Sequence, residues 1–570
     1  MRIKQRTLPS QLPELHGVPP LLTRIYAARG VRHARELDTG LQQLEPYHSL
    51  KGIEAATELL LDAIEQQQRI LIVGDFDADG ATATAVAMLG LNMLGAADVH
   101  YLVPNRFGYG YGLSSGLVAA AAPLGAELLI TVDNGVSSFE GVAAAQAAGM
   151  RVLVTDHHLP GETLPAADAI VNPNQHGCAF PSKALAGVGV IFYVLLALRA
   201  RMRELGHFDQ RPAPNLAELL DLVALGTVAD VVPLDANNRI LVQQGLARIR
   251  AGRTRPGIRA LVETGRRSLQ QLVAADLGFI VGPRLNAAGR MDDMSVGIEC
   301  LLADSDAQAL ALAQRLEELN RQRKSVEQGM QQDVEQQLQA LDMHNLPFGL
   351  CVYQPDWHQG VTGILAARLK ERHHRPVIAF ADAGEGQLKG SARSVAGLHV
   401  RDALEAVASR NPGLITKFGG HAMAAGLTLA QEHFDEFAQA FDQHVRSCLS
   451  EEDLQGLWVT DGELCRDEFE LELARQLRMA GPWGQQFPEP SFHGRFRLLS
   501  QRLVGERHLK LLLQTEDGAV SLDGIAFNVD LDCWPNPNIR FAEMAYRLDV
   551  NEFRGRESLQ LMVEHLVAVG

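Results

Sequence analysis

The 570-residue sequence has no long uncharged apolar run and no paired spacing among its six cysteines. No segment approaches the length needed to cross a membrane, and the basic N-terminus has no apolar stretch behind it, so neither a membrane span nor a signal peptide is predicted. Scattered cysteines argue against a structural zinc site or a disulfide framework and are typical of a reducing compartment. We therefore expect a cytoplasmic protein with no membrane partner.

The chain also has no excess of basic residues. The formal net charge of −16 argues weakly against nucleic acid as a partner, because nucleic-acid-binding surfaces are usually basic. A negative net charge does not exclude nucleic acid, since a carboxylate-rich metal site adds negative charge by itself and basic residues can still line one groove. Apolar residues make up 46% of the chain, an ordinary globular balance, and the length predicts three or four domains.

The most informative feature is a run of three aspartates at every second position, directly after a short apolar segment. Residues 74–80 read Gly-Asp-Phe-Asp-Ala-Asp-Gly. On an extended backbone alternate residues share a face, so Asp75, Asp77 and Asp79 are expected to converge, and a hard divalent cation would relieve their repulsion. The alternative is an Asp-rich turn that caps a helix beginning near Ala81, although a cap needs only one aspartate. A calcium loop is not expected, because no glutamate follows at its closing position.

Short β-rich runs alternate with Ala-rich amphipathic segments between residues 50 and 235. The predicted strands are 70–74, 98–103, 127–132, 151–155 and 168–171, and the predicted helices are 81–94, 137–148 and 185–205. This alternation predicts an α/β fold, with a parallel sheet covered by helices on both faces. Ligands of such sheets bind at the carboxyl ends of the strands.

Two more polar clusters, Asp133-Asn-Gly and Asp156-His-His, follow strands of this sheet and should reach the same edge as the three aspartates. Taken singly, the first is typical of a tight turn and the second of a capped helix start; their joint placement favours a metal site. The expected metal ligands are Asp75, Asp77, Asp79, Asp133, His157 and Asp230, with Asp133 as the natural bridge between two ions. Carboxylates with one imidazole suit Mn²⁺ or Mg²⁺ better than zinc, and two such ions suit the hydrolysis of a phosphoester.

The rest of the chain predicts three further parts. Residues 306–343 form a long amphipathic stretch, which we interpret as a helix that links two domains. A second α/β unit follows, and beyond it many short strands predict a small antiparallel barrel. The predicted domains are an N-terminal segment 1–49, a first lobe 50–305, a connecting helix 306–344, a second lobe 345–446 and a barrel 456–570.

These motifs resemble those of the DHH phosphoesterases. The four family motifs are matched by Asp75-Phe-Asp-Ala-Asp-Gly, Asp133-Asn-Gly, Asp156-His-His and Gly226-Thr-Val-Ala-Asp230. Four further segments are similar to the single-stranded-DNA-specific exonucleases of that family: Val103–Leu113, Gly282–Arg290, Gly419–Gly426 and Asn551–Leu561. The resemblance covers residues 50 to about 567. Phe76, where the family often carries Tyr, and the segment 481–490 are the departures.

The resemblance implies a DHH phosphoesterase lobe joined by the long helix to a DHH-associated lobe, with an oligonucleotide-binding (OB) barrel at the C-terminus. It implies Mn²⁺- or Mg²⁺-dependent 5′→3′ degradation of single-stranded DNA to mononucleotides in recombination and repair, with single-strand-binding protein and a helicase as protein partners. A phosphoesterase for short oligoribonucleotides or cyclic dinucleotides is the alternative enzyme, but such relatives usually lack the barrel. A scaffold that has lost its metals is the non-enzymatic alternative, and the intact ligand set argues against it.

The expected catalytic residues are Asp77, Asp79, Asp133, His157, His158 and Asp230, with His158 contacting the scissile phosphate or orienting the site. A single-strand nuclease also needs phosphate clamps and base platforms. The expected substrate-binding residues are Asn105, Arg106, Tyr111, Arg284, Asn286, Arg290, Arg393, Gly419, Gly420 and His421. Arg284 and Arg290 bracket small residues that would let the backbone approach a phosphate. Backbone donors around Gly420 suit a terminal phosphate, although Gly-Gly-His is by itself usually a turn.

Overall fold

The computed structural model describes residues 2–104, 112–339 and 346–569. It divides into two units: a larger unit made of Gln5–Leu319 with Val459–Gly570, and a smaller unit made of Met1–Lys4 with Asn320–Trp458. Within the described residues, none of the helices combines the length and the apolar character of a membrane span.

The first part of the chain alternates strands and helices as predicted. Its elements are β1 (Arg2–Gln5), α1 (Pro20–Ala27), α2 (Ile53–Glu65), β2 (Ile70–Val73), α3 (Ala78–Leu94), β3 (Val99–Leu102), α4 (Ser115–Ala121), β4 (Leu128–Val132), α5 (Phe139–Ala147), β5 (Arg151–Thr155), β6 (Ala169–Val171) and α6 (Gly187–Glu204). A helical part follows, with α7 (Leu220–Ala229), α8 (Ala236–Arg250), α9 (Pro256–Thr264), α10 (Ala274–Asp276), a π-helical turn (Leu277–Val281), α11 (Gly282–Met291), α12 (Ser295–Leu302) and the long helix α13 (Asp306–Gln339).

The sheet of the larger unit is parallel throughout, with the strand order β3-β2-β4-β5-β6. Alternate residues of β2 face two different cores: Ile70 and Ile72 pack with α2, α3 and α6, whereas Leu71 and Val73 pack with α4 and α5. Both faces of the sheet are therefore covered, which explains why its strands are nearly continuous apolar runs. The predicted α/β class is confirmed. The strand order reverses between β2 and β4, and such a reversal opens a crevice at the carboxyl ends of the strands.

The smaller unit has its own mixed sheet. Its elements are β7 (Leu350–Tyr353), α14 (Thr362–His373), β8 (Val377–Gly384), β9 (Gln387–Arg393), α15 (Val400–Arg410), β10 (Lys417–Gly420), β11 (Ala424–Ala430) and α16 (Phe434–Cys448). The strand order is β10-β11-β9-β8-β7, and the β7–β8 pair is parallel while the others are antiparallel. Phe380, Phe437 and Phe441 fill the core of this unit.

The last part of the chain forms a closed barrel. The elements of this part of the chain are β12 (Leu457–Thr460), which pairs with β1, α17 (Leu471–Met479), and the barrel strands β13 (Phe492–Val504), β14 (His508–Thr515), β15 (Ser521–Ala526), β16 (Phe541–Phe553) and β17 (Arg556–Val569). The closed order is β13-β14-β15-β17-β16. The OB-type barrel is confirmed, although the expected purely antiparallel pattern is wrong for one pair: β15 and β17 are parallel, and this pair closes the barrel.

A buried ion pair ties the barrel's entry to the N-terminal segment within the larger unit. Arg29, just after α1, places Nη1 2.8 Å from Asp461 Oδ1 and Nη2 2.9 Å from Asp461 Oδ2. The two side chains are 0% and 2% exposed. Such a bidentate pair fixes orientation as well as distance.

Candidate metal centre

The three aspartates converge through a strand-to-helix turn. Helix α3 begins at Ala78, not near Ala81, so Asp79 lies in its first turn and not on an extended strand as expected. Asp77 caps this helix, because its Oδ1 accepts hydrogen bonds from the backbone N–H groups of Asp79 (2.9 Å) and Gly80 (3.0 Å). Asp75 is 3% exposed and accepts from Phe76 N. Capping and ligation are thus compatible roles for the same segment, since an ionised carboxylate has about four acceptor positions.

Asp79 also caps a second helix. Its Oδ2 accepts from Gly187 N (2.6 Å) and its Oδ1 from Val188 N (3.0 Å), at the start of α6. A Cβ on Gly187 would lie 2.5 Å from Asp133 Cβ, so a larger residue there would displace Asp133. Gly226 is similarly confined, because its Cβ would lie 2.9 Å from Asp79 Oδ1. These glycines let two helices approach the carboxylates closely.

Asp133 follows β4 at the same sheet edge. It is buried and has φ +62°, a left-handed conformation that aspartate tolerates better than most residues. The neighbouring Asn134 donates through Nδ2 to the carbonyl oxygens of Val73 (3.1 Å) and Val132 (2.9 Å). One amide therefore joins the ends of β2 and β4, which holds Asp133 beside the aspartates that follow β2.

The two histidines are fixed by Asp156. Its Oδ1 accepts from the backbone N–H groups of His157 (2.7 Å) and His158 (3.0 Å) and lies 2.7 Å from His158 Nδ1. Asn174 and Asn172 donate to the carbonyl oxygens of His157 (2.6 Å) and His158 (2.9 Å). Neither asparagine was predicted as a site residue, although both follow β6 at the same edge, where polar residues after strands are expected to bind ligands.

The ligand atoms form three triads, and within each triad they lie within 4.8 Å of one another. The triads are Asp75–Asp77–Asp133, Asp79–His157–Asp230 and Asp133–His157–His158. The third triad contains Asp133 from the first and His157 from the second. His157 Nε2 lies 3.1 Å from Asp133 Oδ1 and 3.5 Å from Asp230 Oδ2. The structure thus brings together every expected ligand and places His158 beside them.

Crowding of buried carboxylates raises their pKa values. Burial and then the charge of Asp230 raise the pKa of Asp79 to about 7, and burial and then the charge of Asp77 raise the pKa of Asp230 to about 7. Burial, followed by Asp79, raises the pKa of Asp133 well above its usual range. Such a cluster holds protons at neutral pH unless a cation replaces them, which is the electrostatic signature of a cation site.

The two histidines are shifted in opposite directions. Burial and then the neighbouring His158 lower the pKa of His157, which favours the neutral imidazole that binds metals. Burial alone would lower the pKa of His158 as well, but its contact with Asp156 outweighs burial and raises the pKa to about 9. A protonated imidazole has no lone pair for a metal. His158 is therefore suited to an anion, and His157 to a cation.

Helix α11 supports the aspartate segment. Asn286 Oδ1 accepts from Ala78 N at 2.8 Å, and a Cβ on Gly289 would lie 1.8 Å from the Phe76 carbonyl oxygen. The small residues expected to admit a phosphate therefore admit the Phe76 backbone. Arg284 is 8% exposed, and its Nε lies 2.7 Å from Glu317 Oε2, so its charge is neutralised within the fold. Arg290 is half-buried near the end of the same helix.

Of the remaining expected substrate-binding residues, four lie on the sheet of the smaller unit. Asn105, Arg106 and Tyr111 lie outside the described residues. Arg393 ends β9 of the smaller unit, and its Nη2 lies 3.0 Å from where a Cβ on Gly363, in the first turn of α14, would be. On the same sheet, Gly419 and Gly420 pair with β11, and His421 N donates to Ala424 O at 2.8 Å. These four residues therefore share one end of a single sheet, since Ala424 pairs with Arg393.

Comparison with known proteins agrees with these features. Three family models match the chain: the DHH family N-terminal domain over residues 69–227, the DHHA1 domain over 347–447 and the RecJ OB domain over 460–565. The single-stranded-DNA-specific exonuclease RecJ of Dickeya dadantii is 60% identical over 567 residues, with 99% of this chain and 98% of that protein covered. The chain belongs to the RecJ family. The Escherichia coli RecJ is 57% identical over 553 residues, with 96% of each chain covered.

Solved RecJ structures share this fold. The crystal structure of Thermus thermophilus RecJ in complex with Mn²⁺ has a TM-score of 0.82 and 31% identity, covering all of this chain and 80% of that one. The same protein in complex with Mg²⁺ gives a TM-score of 0.77 at 30% identity, with 100% and 79% coverage. The donor set found here, carboxylate oxygens with one neutral imidazole, fits both of these RecJ ions, because hard divalent cations prefer oxygen ligands.

Proposed function

We propose that this chain is a single-stranded-DNA-specific exonuclease that hydrolyses phosphodiester bonds with two Mn²⁺ or Mg²⁺ ions. The observation that carries the proposal is the pair of triads linked by the 3.1 Å contact between Asp133 and His157. The proposal includes 5′→3′ polarity, release of mononucleotides and action in DNA recombination and repair, which come with the RecJ family. Single-strand-binding protein and a helicase are proposed as protein partners, and the cytoplasmic location stays a prediction.

The two linked triads suggest how the ions would be held. Asp75, Asp77 and Asp133 would hold one ion, and the second triad with Asp133 as the shared ligand would hold the other. When bound, the ions supply a water activated at neutral pH and stabilise the negative charge on the leaving oxygen. Asp133 is the only one of these residues for which we propose a bridging role.

Other residues of the centre would act on the DNA or on the ligands. His158 would contact the scissile phosphate, and Asp156, which raises its pKa, would hold its ring orientation through Nδ1. Asn172 and Asn174 would keep the two histidines in register with the aspartates through their carbonyl groups. These residues would orient the metal ligands and neutralise negative charge on the phosphate. Catalysis of phosphoryl transfer depends chiefly on such positioning and electrostatic stabilisation.

Substrate binding is proposed for residues on both units. Arg393, Gly419, Gly420 and His421 would bind the terminal phosphate, and Asn105, Arg106, Tyr111 and Arg290 would hold the strand. Arg284 and Asn286 are better suited to positioning, because Arg284 is ion-paired with Glu317 and Asn286 accepts from the backbone of the aspartate segment.

The test compares the chain with Asp133→Ala on end-labelled single-stranded DNA, duplex DNA and RNA, with and without Mn²⁺. We expect Mn²⁺-dependent degradation of single-stranded DNA and a loss of at least about a hundredfold in the variant, because even residues that merely support metal ligands give losses up to that size. Asp209→Ala is the matched control, since Asp209 is exposed beyond the far end of α6. Faster cleavage of short RNA than of single-stranded DNA would contradict the substrate assignment. Full activity of Asp133→Ala would contradict the bridging role.

A further inference from the structure

The three large apolar side chains with the greatest exposure among the described residues all lie on segments that carry residues of the metal centre or pack against such a segment. They are Phe279, Leu159 and Val231, which are 81%, 63% and 62% exposed. Leu159 directly follows His158, and Val231 directly follows Asp230. Exposed apolar residues are common singly, but their concentration around one polar site is not expected from folding alone. We call these three residues the apolar rim.

The backbone around Phe279 packs against the residues that precede Asp230. Phe279 lies in the π-helical turn, where a Cβ on Gly278 would be 3.2 Å from Val228 Cγ1 and a Cβ on Gly282 would be 3.2 Å from Ala229 Cβ. Val228 and Ala229 immediately precede Asp230. With consecutive Cα atoms ~3.8 Å apart, the backbone of Phe279 lies within roughly 12 Å of the backbone of Asp230. Single π-helical turns are rare and occur frequently at functional sites.

Val231 is exposed on a strained backbone. Val231 has φ +62°, a conformation that is a genuine outlier for a β-branched residue. Its backbone N–H donates to Val228 O at 3.3 Å, which keeps the residue at the end of α7. Strained backbone persists where the surrounding structure enforces it, and it clusters at active sites and ligand clamps. The strain at Val231 therefore agrees with a binding role for the apolar rim.

We propose that the apolar rim is a platform for nucleobases of the single strand that flank the scissile phosphate, with Phe279 stacking on one base. The proposal rests on the proposed function, because the phosphodiester must lie at the carboxylate centre for hydrolysis and the adjoining nucleotides then meet the rim. Unpaired bases present π-faces that stack on aromatic rings with little regard to sequence. A protein docked on the rim would instead obstruct the centre, so the strand itself is the occupant that fits.

The experiment is a double-mutant cycle between the ring and the base. KM and kcat are measured in Mn²⁺ on a single-stranded oligonucleotide and on the same oligonucleotide with abasic sites at its first three 5′ nucleotides. The variants are Phe279→Ala, Phe279→Leu and Phe279→Tyr. Leu205→Ala is the control, because Leu205 is 47% exposed at the opposite end of α6 from Gly187, about 27 Å away along the helix.

We expect Phe279→Ala to raise KM on the intact oligonucleotide about tenfold with little change in kcat, which is the size of one stacking interaction. Phe279→Tyr should retain the low KM, and Phe279→Leu should be intermediate. On the abasic oligonucleotide the unsubstituted chain, the three Phe279 variants and Leu205→Ala should all share one KM. Because Phe279 is exposed, the Tm of each variant should match that of the unsubstituted chain.

Three outcomes would overturn the inference. The first is an unchanged KM for Phe279→Ala on the intact oligonucleotide. The second is an equal loss on the intact and abasic oligonucleotides, which would mean that Phe279 acts on the metal centre and not on a base. The third is a failure of the unsubstituted chain to degrade either oligonucleotide in Mn²⁺, which would overturn the proposed function and the inference with it; the first two outcomes leave the proposed function intact.

Discussion

At the scale of single residues, Asn286 links a distant helix to the aspartate segment. Its Oδ1 accepts the Ala78 N–H at 2.8 Å, at the first helical residue between Asp77 and Asp79. The bond replaces one that the helix cannot make internally, because the first N–H groups of a helix lack partners. Asn286 therefore supports the start of α3, which Asp77 caps, and with it the position of two carboxylates.

We predict that Asn286→Ala weakens Mn²⁺ binding by roughly 10- to 100-fold, the usual effect of losing a residue that orients metal ligands. Isothermal titration with Mn²⁺ measures this directly, and single-strand binding without a divalent cation should hardly change. Asn286→Asp keeps an acceptor oxygen for Ala78 N and should recover part of the affinity. Weakened DNA binding with normal Mn²⁺ affinity would instead favour the substrate contact that the sequence suggested.

At the scale of elements, the N-terminus of α6 is built against the centre. A Cβ on Gly187 would lie 2.5 Å from Asp133 Cβ, whereas a Cβ on Gly189 would lie 3.1 Å from Leu185 Cδ2, a flexible methyl. Two glycines of one turn are thus in unlike surroundings. The positive end of the helix dipole also faces the carboxylate of Asp79, which stabilises its charge.

Gly187→Ala should abolish most Mn²⁺-dependent activity and the rise in Tm that Mn²⁺ produces, because the added Cβ displaces Asp133. Gly189→Ala is the matched control and should retain both, since alanine is preferred over glycine within helices and the Leu185 methyl needs to shift by only a few tenths of an ångström. Nuclease assays and thermal unfolding with and without Mn²⁺ distinguish the two variants. Equal behaviour would show that the close contact at Gly187 is unimportant.

At the scale of the whole larger unit, the barrel is anchored through the pair Arg29–Asp461. Arg29 also donates from Nε to Pro488 O at 2.7 Å, and Asp461 also accepts from Ser491 N at 3.1 Å. The pair thus fixes two points of the segment that leads into β13. Tyr26 stacks on Trp483 and Phe487 of the same segment, which adds an apolar contact beside the ion pair.

Arg29→Ala should lower the free energy of unfolding by about 3 kcal/mol, the lower end of the range for breaking a buried ion pair, because Asp461 loses its bidentate partner and keeps the longer 3.6 Å contact with Arg6. Chemical denaturation followed by tryptophan fluorescence measures the change. The control is Arg201→Ala, which removes an exposed pair with Glu58 and should change stability little. A similar small effect of both variants would show that the buried pair does not anchor the barrel.

The sequence predicted the strands β2 to β6 to within two residues, because buried parallel strands are continuous apolar runs that local patterns reveal. The expected ligands other than Asp230, which lies at the end of α7, followed from strand ends meeting at one edge. The start of α3 was wrong because Asp-x-Asp-x-Asp fits a period of two as well as a capped turn. Asn286 contacts Ala78, which is 208 residues away in the chain. Gly187 must lack a side chain because Asp133 lies against it. Neither contact is visible in a local sequence pattern.

The double acceptor role of Asp79 gives the centre a built-in spectroscopic probe. Its two carboxylate oxygens receive the amide protons of Gly187 and Val188, so any change in electron density at that carboxylate reaches two backbone amides. Their proton resonances should move upfield when a cation draws on the same oxygens, while amides farther along α6 stay in place. Occupancy of the site can thus be read from nuclear magnetic resonance spectra of the isotopically labelled chain, without substrate or turnover.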